Sequence, residues 1–146
     1  MKSKIIGLFT AIILFSNISF ATGVEPTEEL QKEFDKSFAQ STEVAWDKVA
    51  DYYKASFLMD GKYLTVYFDA FNNIQSISRN ISTTALPFIL QKDIKENVSE
   101  TSWIADCFEI SHENGTEYFI VVESADEKIF YQSNGTGWDV YKNIAK

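Results

Sequence analysis

One histidine, one cysteine and an abundance of carboxylates are what this chain offers for chemistry. His112 would have to serve any Ser-His-Asp or Cys-His arrangement, because a nucleophile needs an imidazole within hydrogen-bond reach. It sits beside a hairpin-turn signal, where a histidine is expected to be solvated, so no triad is read from it. Cys107 has no partner for a disulfide, and a lone cysteine among apolar residues packs as a small hydrophobe. No His pair or Cys pair has transition-metal spacing. Asp69-x-x-Asn72-Asn73 and Glu123-x-x-Asp126-Glu127 could gather oxygen ligands. Neither follows the calcium-loop pattern, and polar turn chemistry accounts for both. The six glycines are scattered, and Asn134-Gly135-Thr136-Gly137 has no helix after it to complete a phosphate cradle. The chain is therefore read as non-catalytic, with no metal and no cofactor.

The elements that would position a binding site are clearer. Pro26, Glu28 and Glu29 suit the first turn of a helix, and Leu30, Phe34 and Phe38 put one apolar stripe on it. From Val44 to Met59 the period becomes two, with Tyr53, Ala55, Phe57 and Met59 on one side. Asp60-Gly61 is a two-residue hairpin turn, after which Leu64, Val66, Phe68 and Ala70 return. This pairs Phe57 with Leu64, Ala55 with Val66 and Tyr53 with Phe68; the other face pairs Leu58 with Tyr63, Ser56 with Thr65 and Lys54 with Tyr67. Residues 74–82 read as a further strand. A second helix is expected where Leu86, Ile89, Leu90, Ile94 and Val98 follow helical spacing, with Pro87 in its first turn. Strands resume at 103–111, 116–124, 128–132 and 138–144, with Asn114-Gly115 as a second hairpin signal.

Helix then strands therefore occurs twice, at about 24–82 and 83–146. Setting Gly61 against Gly115 brings Leu64 onto Tyr118, Val66 onto Ile120 and Phe68 onto Val122. The expected fold class is α+β: tandem helix-plus-antiparallel-strand repeats forming one antiparallel sheet, with two helices on one face. Tyr52, Tyr63 and Tyr67, with Lys54 among them, then lie on the opposite, open face. Tyrosines there would suit an interface, where such anchors carry much of the binding energy. They would equally stabilise the sheet, since cross-strand pairs contribute about 0.2–1 kcal/mol each.

The first 21 residues read as a cleavable export signal. Lys2 and Lys4 precede an apolar run of 11 residues, Ile5–Phe15, and Ser19-Phe20-Ala21 supplies small residues three and one before a cut. The run falls short of the roughly 18–20 residues a membrane span needs, so no stable membrane insertion is expected. Residues 22–146 remain as one domain. They keep 11 basic against 21 acidic residues, a net charge of −10, which disfavours nucleic acid and anionic membrane surfaces.

Val44-Ala45-Trp46 after the first helix, the Tyr53…Phe57…Gly61…Tyr67 strand pair, Leu86-Pro87 opening the second helix, and Gly115-Thr116-Glu117-Tyr118 leading into Val121-Val122-Glu123 carry a family resemblance. Over roughly residues 26–144 the chain resembles the PepSY-like, β-lactamase-inhibitor-like small exported bacterial proteins. The resemblance implies the two-repeat sheet, a periplasmic or secreted location, and an envelope or extracellular protein or peptide as partner. With one cysteine, the chain departs from the inhibitor's intradomain disulfides. A small-ligand carrier, with an apolar pocket between helices and sheet, is the alternative.

Overall fold

The computed structural model describes residues 23–146, so the export segment read at residues 1–21 lies outside the described residues. The chain order is α1 (Glu28–Ser37), β1 (Thr42–Val49), β2 (Tyr52–Met59), β3 (Lys62–Phe68), β4 (Ile74–Asn80), a 3-10 turn (Thr83–Ala85), α2 (Phe88–Asn97), β5 (Trp103–His112), β6 (Gly115–Glu123), β7 (Glu127–Ser133) and β8 (Asp139–Ala145). The eight strands form one sheet in sequential order, every neighbouring pair antiparallel. Each half is thus a helix followed by a four-stranded meander, and β4 joins β5 across the middle.

Local chemistry explains the element ends. Thr27 caps α1 by accepting from the Leu30 amide at 3.2 Å, which leaves Pro26 just ahead of the cap rather than inside the first turn. Glu28 and Glu29 complement the helix dipole at one end and Lys36 at the other. α2 begins directly after Pro87, whose missing N–H costs nothing there. Asp60 and Gly61 both take positive φ, 52° and 71°, as a type I′ hairpin turn requires. The pairing across that turn is the one read from the sequence, from Tyr53 with Phe68 through to Leu58 with Tyr63.

Two expectations need correction. The alternating run from Val44 to Met59 is not one strand: Val49 pairs with Tyr52, and the chain turns at Ala50-Asp51. Ala50 sits there at φ 52°, a position where glycine or asparagine would normally signal the turn. The residue offset of the repeat also changes. Setting Gly61 on Gly115 matches the second hairpin of one half with the first of the other. Element order instead matches the Ala50-Asp51 turn with the β5–β6 turn, which His112 and Gly115 flank. Bulges fall in the β1–β2, β3–β4, β5–β6 and β7–β8 pairings alone, so irregularities recur at the same places in both halves.

Both helices pack on one face. Leu30, Phe34 and Phe38 of α1 meet Ala55, Phe57, Val66 and Phe68; Leu86, Leu90 and Ile94 meet Cys107, Ile120 and Val122. Val66 pairs with Ile77, and Ile77 with Ser111. Cross-strand partners share a face, and so do alternate residues along a strand, so Ser111 places Cys107 on the α1 side.

Candidate binding surfaces

The face away from the helices has an interior of its own. Tyr67, Ile110 and Phe119 are buried there, with Tyr52 and Phe108 packed against them, a cluster made of strand residues alone. It bridges β3 to β5 across β4, whose residues opposite Tyr67 and Ile110 are Ser76 and Ser78. Small side chains on the middle strand let the large ones on either side close over it. Phe108 stacks on Phe119 at 5.1 Å between ring centroids, and Tyr141 reaches Phe119 edge-on from β8.

The four residues expected on this face are all there, in different settings. Lys54 and Tyr67 are cross-strand partners but only 6% and 1% exposed. As the fold stands they shape the face from within rather than offer surface. The Lys54 ammonium lies 3.8 Å from an Asp47 carboxylate oxygen, giving the shielded charge an opposite one. Tyr52 is half-buried beside Tyr67. Tyr63, at the Asp60-Gly61 end, is 61% exposed, and its hydroxyl donates to Glu43 Oε2 at 2.9 Å. That carboxylate raises the Tyr63 pKa through the hydrogen bond first and its charge second.

Strand pairing assembles a second exposed corner that no single sequence stretch displays. Trp103 pairs with Glu123, and Glu123 with Lys128. The Glu123 carboxylate takes Lys128 Nζ and Lys146 Nζ at 3.0 Å each, and those two hydrogen bonds hold its pKa below the usual carboxylate range. Lys146 lies over the Trp103 ring at 5.3 Å and Lys128 over Phe130 at 5.5 Å. Trp103 is 52% exposed. The alternation of β6 and β7 was the signal that could have found this corner, but the lysines and the tryptophan are far apart in sequence.

The polar residues weighed for catalysis do not form a catalytic set. His112 pairs with Ser76 across β4 and β5, and its Nδ1 accepts from the Asn114 amide at 3.2 Å, leaving the proton on Nε2. Nε2 and the Ser76 hydroxyl are both shielded, and neither makes a hydrogen bond, so they do not couple as base and nucleophile. Cys107 is buried, and burial, with Asp106 and Glu109 nearby, pushes its thiol up to about 12. Asp69 accepts from the Phe71 and Asn73 amides and from Gln75: its oxygens close the β3–β4 turn. Partial burial raises the Asp69 pKa, and the hydrogen bonds from Asn73, Phe71 and Gln75 outweigh it, leaving the carboxyl below its ordinary value. Among the described residues no three His, Cys, Asp or Glu side chains gather as metal ligands.

A cavity of about 830 Å³ opens on the helix face of the second half. Ile94 and Val98 form one wall, Ile120 and Val122 the floor, and Tyr131 and Trp138 the far side. The Trp138 indole N–H donates to the Leu90 carbonyl at 3.2 Å, which fixes the ring beside α2. Asp93, Asp126 and Glu127 also line the cavity, and among the described residues no basic one does.

The arrangement of two helices on one face of an eight-stranded meander has solved counterparts. A BLIP-like protein from Bacteroides fragilis superposes with a TM-score of 0.67 at 22% identity, over 84% of this chain and 87% of that one. The chain has a BLIP-like fold. A DUF2874 family protein from Bacteroides uniformis matches at TM-score 0.72 and 17% identity, over 84% and 90% of the two chains. A candidate periplasmic protein from Bacteroides eggerthii matches at 0.73 and 17%, with the same coverage. No protein-family model matches the chain, and no curated protein matches its sequence. Identities this low establish the fold, and the BLIP-like fold does not by itself carry an activity.

Proposed function

We propose that this chain is an exported, non-catalytic binding module of the PepSY-like, β-lactamase-inhibitor-like group. It presents the open sheet face to an envelope or extracellular protein or peptide, in the periplasm or medium, after removal of residues 1–21. The observation that carries this reading is the aromatic interior of a face that neither helix packs on. A rigid, pre-packed surface loses little side-chain entropy on binding. Exposed aromatic anchors flank it, Tyr63 in the first half and Trp103 in the second. Tyr52, Lys54 and Tyr67 give the middle of the face its shape, and Tyr63 gives it reach. The strong negative charge agrees with a protein partner better than with a nucleic acid or an anionic membrane. No helix among the described residues is long and apolar enough to cross a membrane.

Photo-crosslinkers placed at positions 63 and 103, and at the exposed α2 position 92 on the other side, test the reading in the native envelope fraction. One protein should be captured from both sheet positions and not from position 92. Its affinity should then fall about tenfold or more in a Tyr63→Ala/Trp103→Ala variant, the scale of a truncated interface anchor. Unchanged affinity in a folded double variant would sink the face assignment.

A further inference from the structure

The cavity occupies the place that an aromatic plug fills in the first half. Phe68 flanks the β3–β4 bulge and Tyr131 the β7–β8 bulge. Phe68 pairs with Tyr53 and Tyr131 with Ile120, so Ala55 corresponds to Val122 and Phe57 to Ser124. Ala55 pairs with Trp46, Val122 with Ile104. Counting from the first helical residues, Glu28 and Phe88, Phe34 corresponds to Ile94 and Phe38 to Val98. Phe34 contacts Phe38, Trp46 and Phe57 with ring centroids 5.1–5.2 Å apart. The second half thus puts Ile, Val, Ile and Ser where the first has Phe, Phe, Trp and Phe. The space those rings would fill stays open.

We infer that this cavity is a binding site for a small organic cation with an apolar body, an amine or quaternary ammonium compound. Three carboxylates line the cavity, and the Lys146 ammonium at its edge, donating to the Ser124 carbonyl at 2.9 Å, is paired with Glu123, so the net field at the rim is negative. The same field rejects fatty acids and other anions of equal size. The walls supply what the rest of the ligand needs: aliphatic surface from α2 and β6, and the rings of Tyr131 and Trp138, since aromatic faces attract ammonium groups. The hydrogen bond from Trp138 to Leu90 holds one of those rings in place before any ligand arrives. The site lies on the helix side of the sheet, apart from the open face, so either surface can be tested without the other.

The discriminating experiment uses three probes with one body and three heads: 4-phenylbutylamine, 4-phenylbutanol and 4-phenylbutyrate. Calorimetry and thermal shift on residues 22–146 should show saturable binding of the amine, weaker binding of the alcohol and none of the acid. Asp126→Asn, a surface change that leaves the core untouched, should weaken the amine about fivefold and leave the alcohol unchanged, the size of one partly exposed charge interaction. Val98→Phe, which restores a ring of the first-half plug, should abolish binding of all three probes while the sheet remains folded by circular dichroism. Equal affinity for the three heads, no amine binding, or amine binding that survives Val98→Phe would each overturn the inference.

Discussion

In the first half, α1 seals against the sheet with rings: Phe34 sits at the centre of Phe38, Trp46 and Phe57, edge-on or tilted to each. In the second, Ile94 of α2 and Val98 just after it meet Ile120 and Val122 of β6, and about 830 Å³ remains open beside them. The helices have the same length and follow the same strand plan. What differs is side-chain bulk at corresponding positions, which shows that the meander tolerates an unfilled helix contact. Rings fill the helix contact in one copy, and aliphatic side chains leave it part-open in the other. The open sheet face divides along the same line. Its first-half corner ends in Tyr63 held by Glu43, its second in Trp103 under Lys146.

The sharpest way to break this comparison is truncation. Phe34→Ala should cost about 3–5 kcal/mol in urea unfolding, and Ile94→Ala about 2 kcal/mol, because Ile94 already borders open space. Equal losses would mean that the two contacts are equivalent after all. Filling comes next: Val98→Phe should stabilise the protein by about 1–2 kcal/mol, whereas overpacking a tight core would lower its melting temperature. The turns offer a smaller test. Ala50 holds a left-handed conformation in the first half, and the corresponding second-half hairpin gives its positive φ to Gly115. Ala50→Gly should therefore raise stability by about 1 kcal/mol, read as an increased midpoint. The smallest effect is local and depends on pH. Asp69 closes the β3–β4 turn with a carboxylate, while Ser133 accepts from the Gly135 amide in the β7–β8 turn with an uncharged hydroxyl. The Asp69 pKa is depressed in the fold, so its stabilisation is complete above the ordinary carboxylate range and is lost as pH falls through the folded value. The protection factors of the Phe71 and Asn73 amides, that is exchange relative to the intrinsic rate at each pH, should fall on acidification while that of Gly135 stays unchanged, and Asp69→Asn should remove that dependence.

Much of the fold could be read before any coordinates. The register of β2 on β3 follows from Asp60-Gly61 and the alternation around it, because a two-residue turn leaves one pairing that keeps Ala55, Phe57, Val66 and Phe68 on the same side. The Ala50-Asp51 turn was illegible because nothing in its composition marks it, and missing it also displaced the match between the two halves. The candidate site was legible as a face and not as a surface. Tyr52, Lys54, Tyr63 and Tyr67 do share that face, but Tyr67 is buried by Ile110 and Phe119 from the other half.

The sequence by itself determined the helices, the register of β2 on β3 and the side of the sheet on which the residues of those two strands stand. Those follow from turn chemistry and from periods of 3.6 and two, which act over a few neighbouring residues. Only the tertiary structure decided which residues stay exposed, that Trp103, Glu123, Lys128 and Lys146 meet at one corner, and that a cavity lies beside α2 at the contact α1 fills with rings. Those outcomes depend on side chains brought together from strands far apart in the chain, and on how completely their volumes fill the space between them.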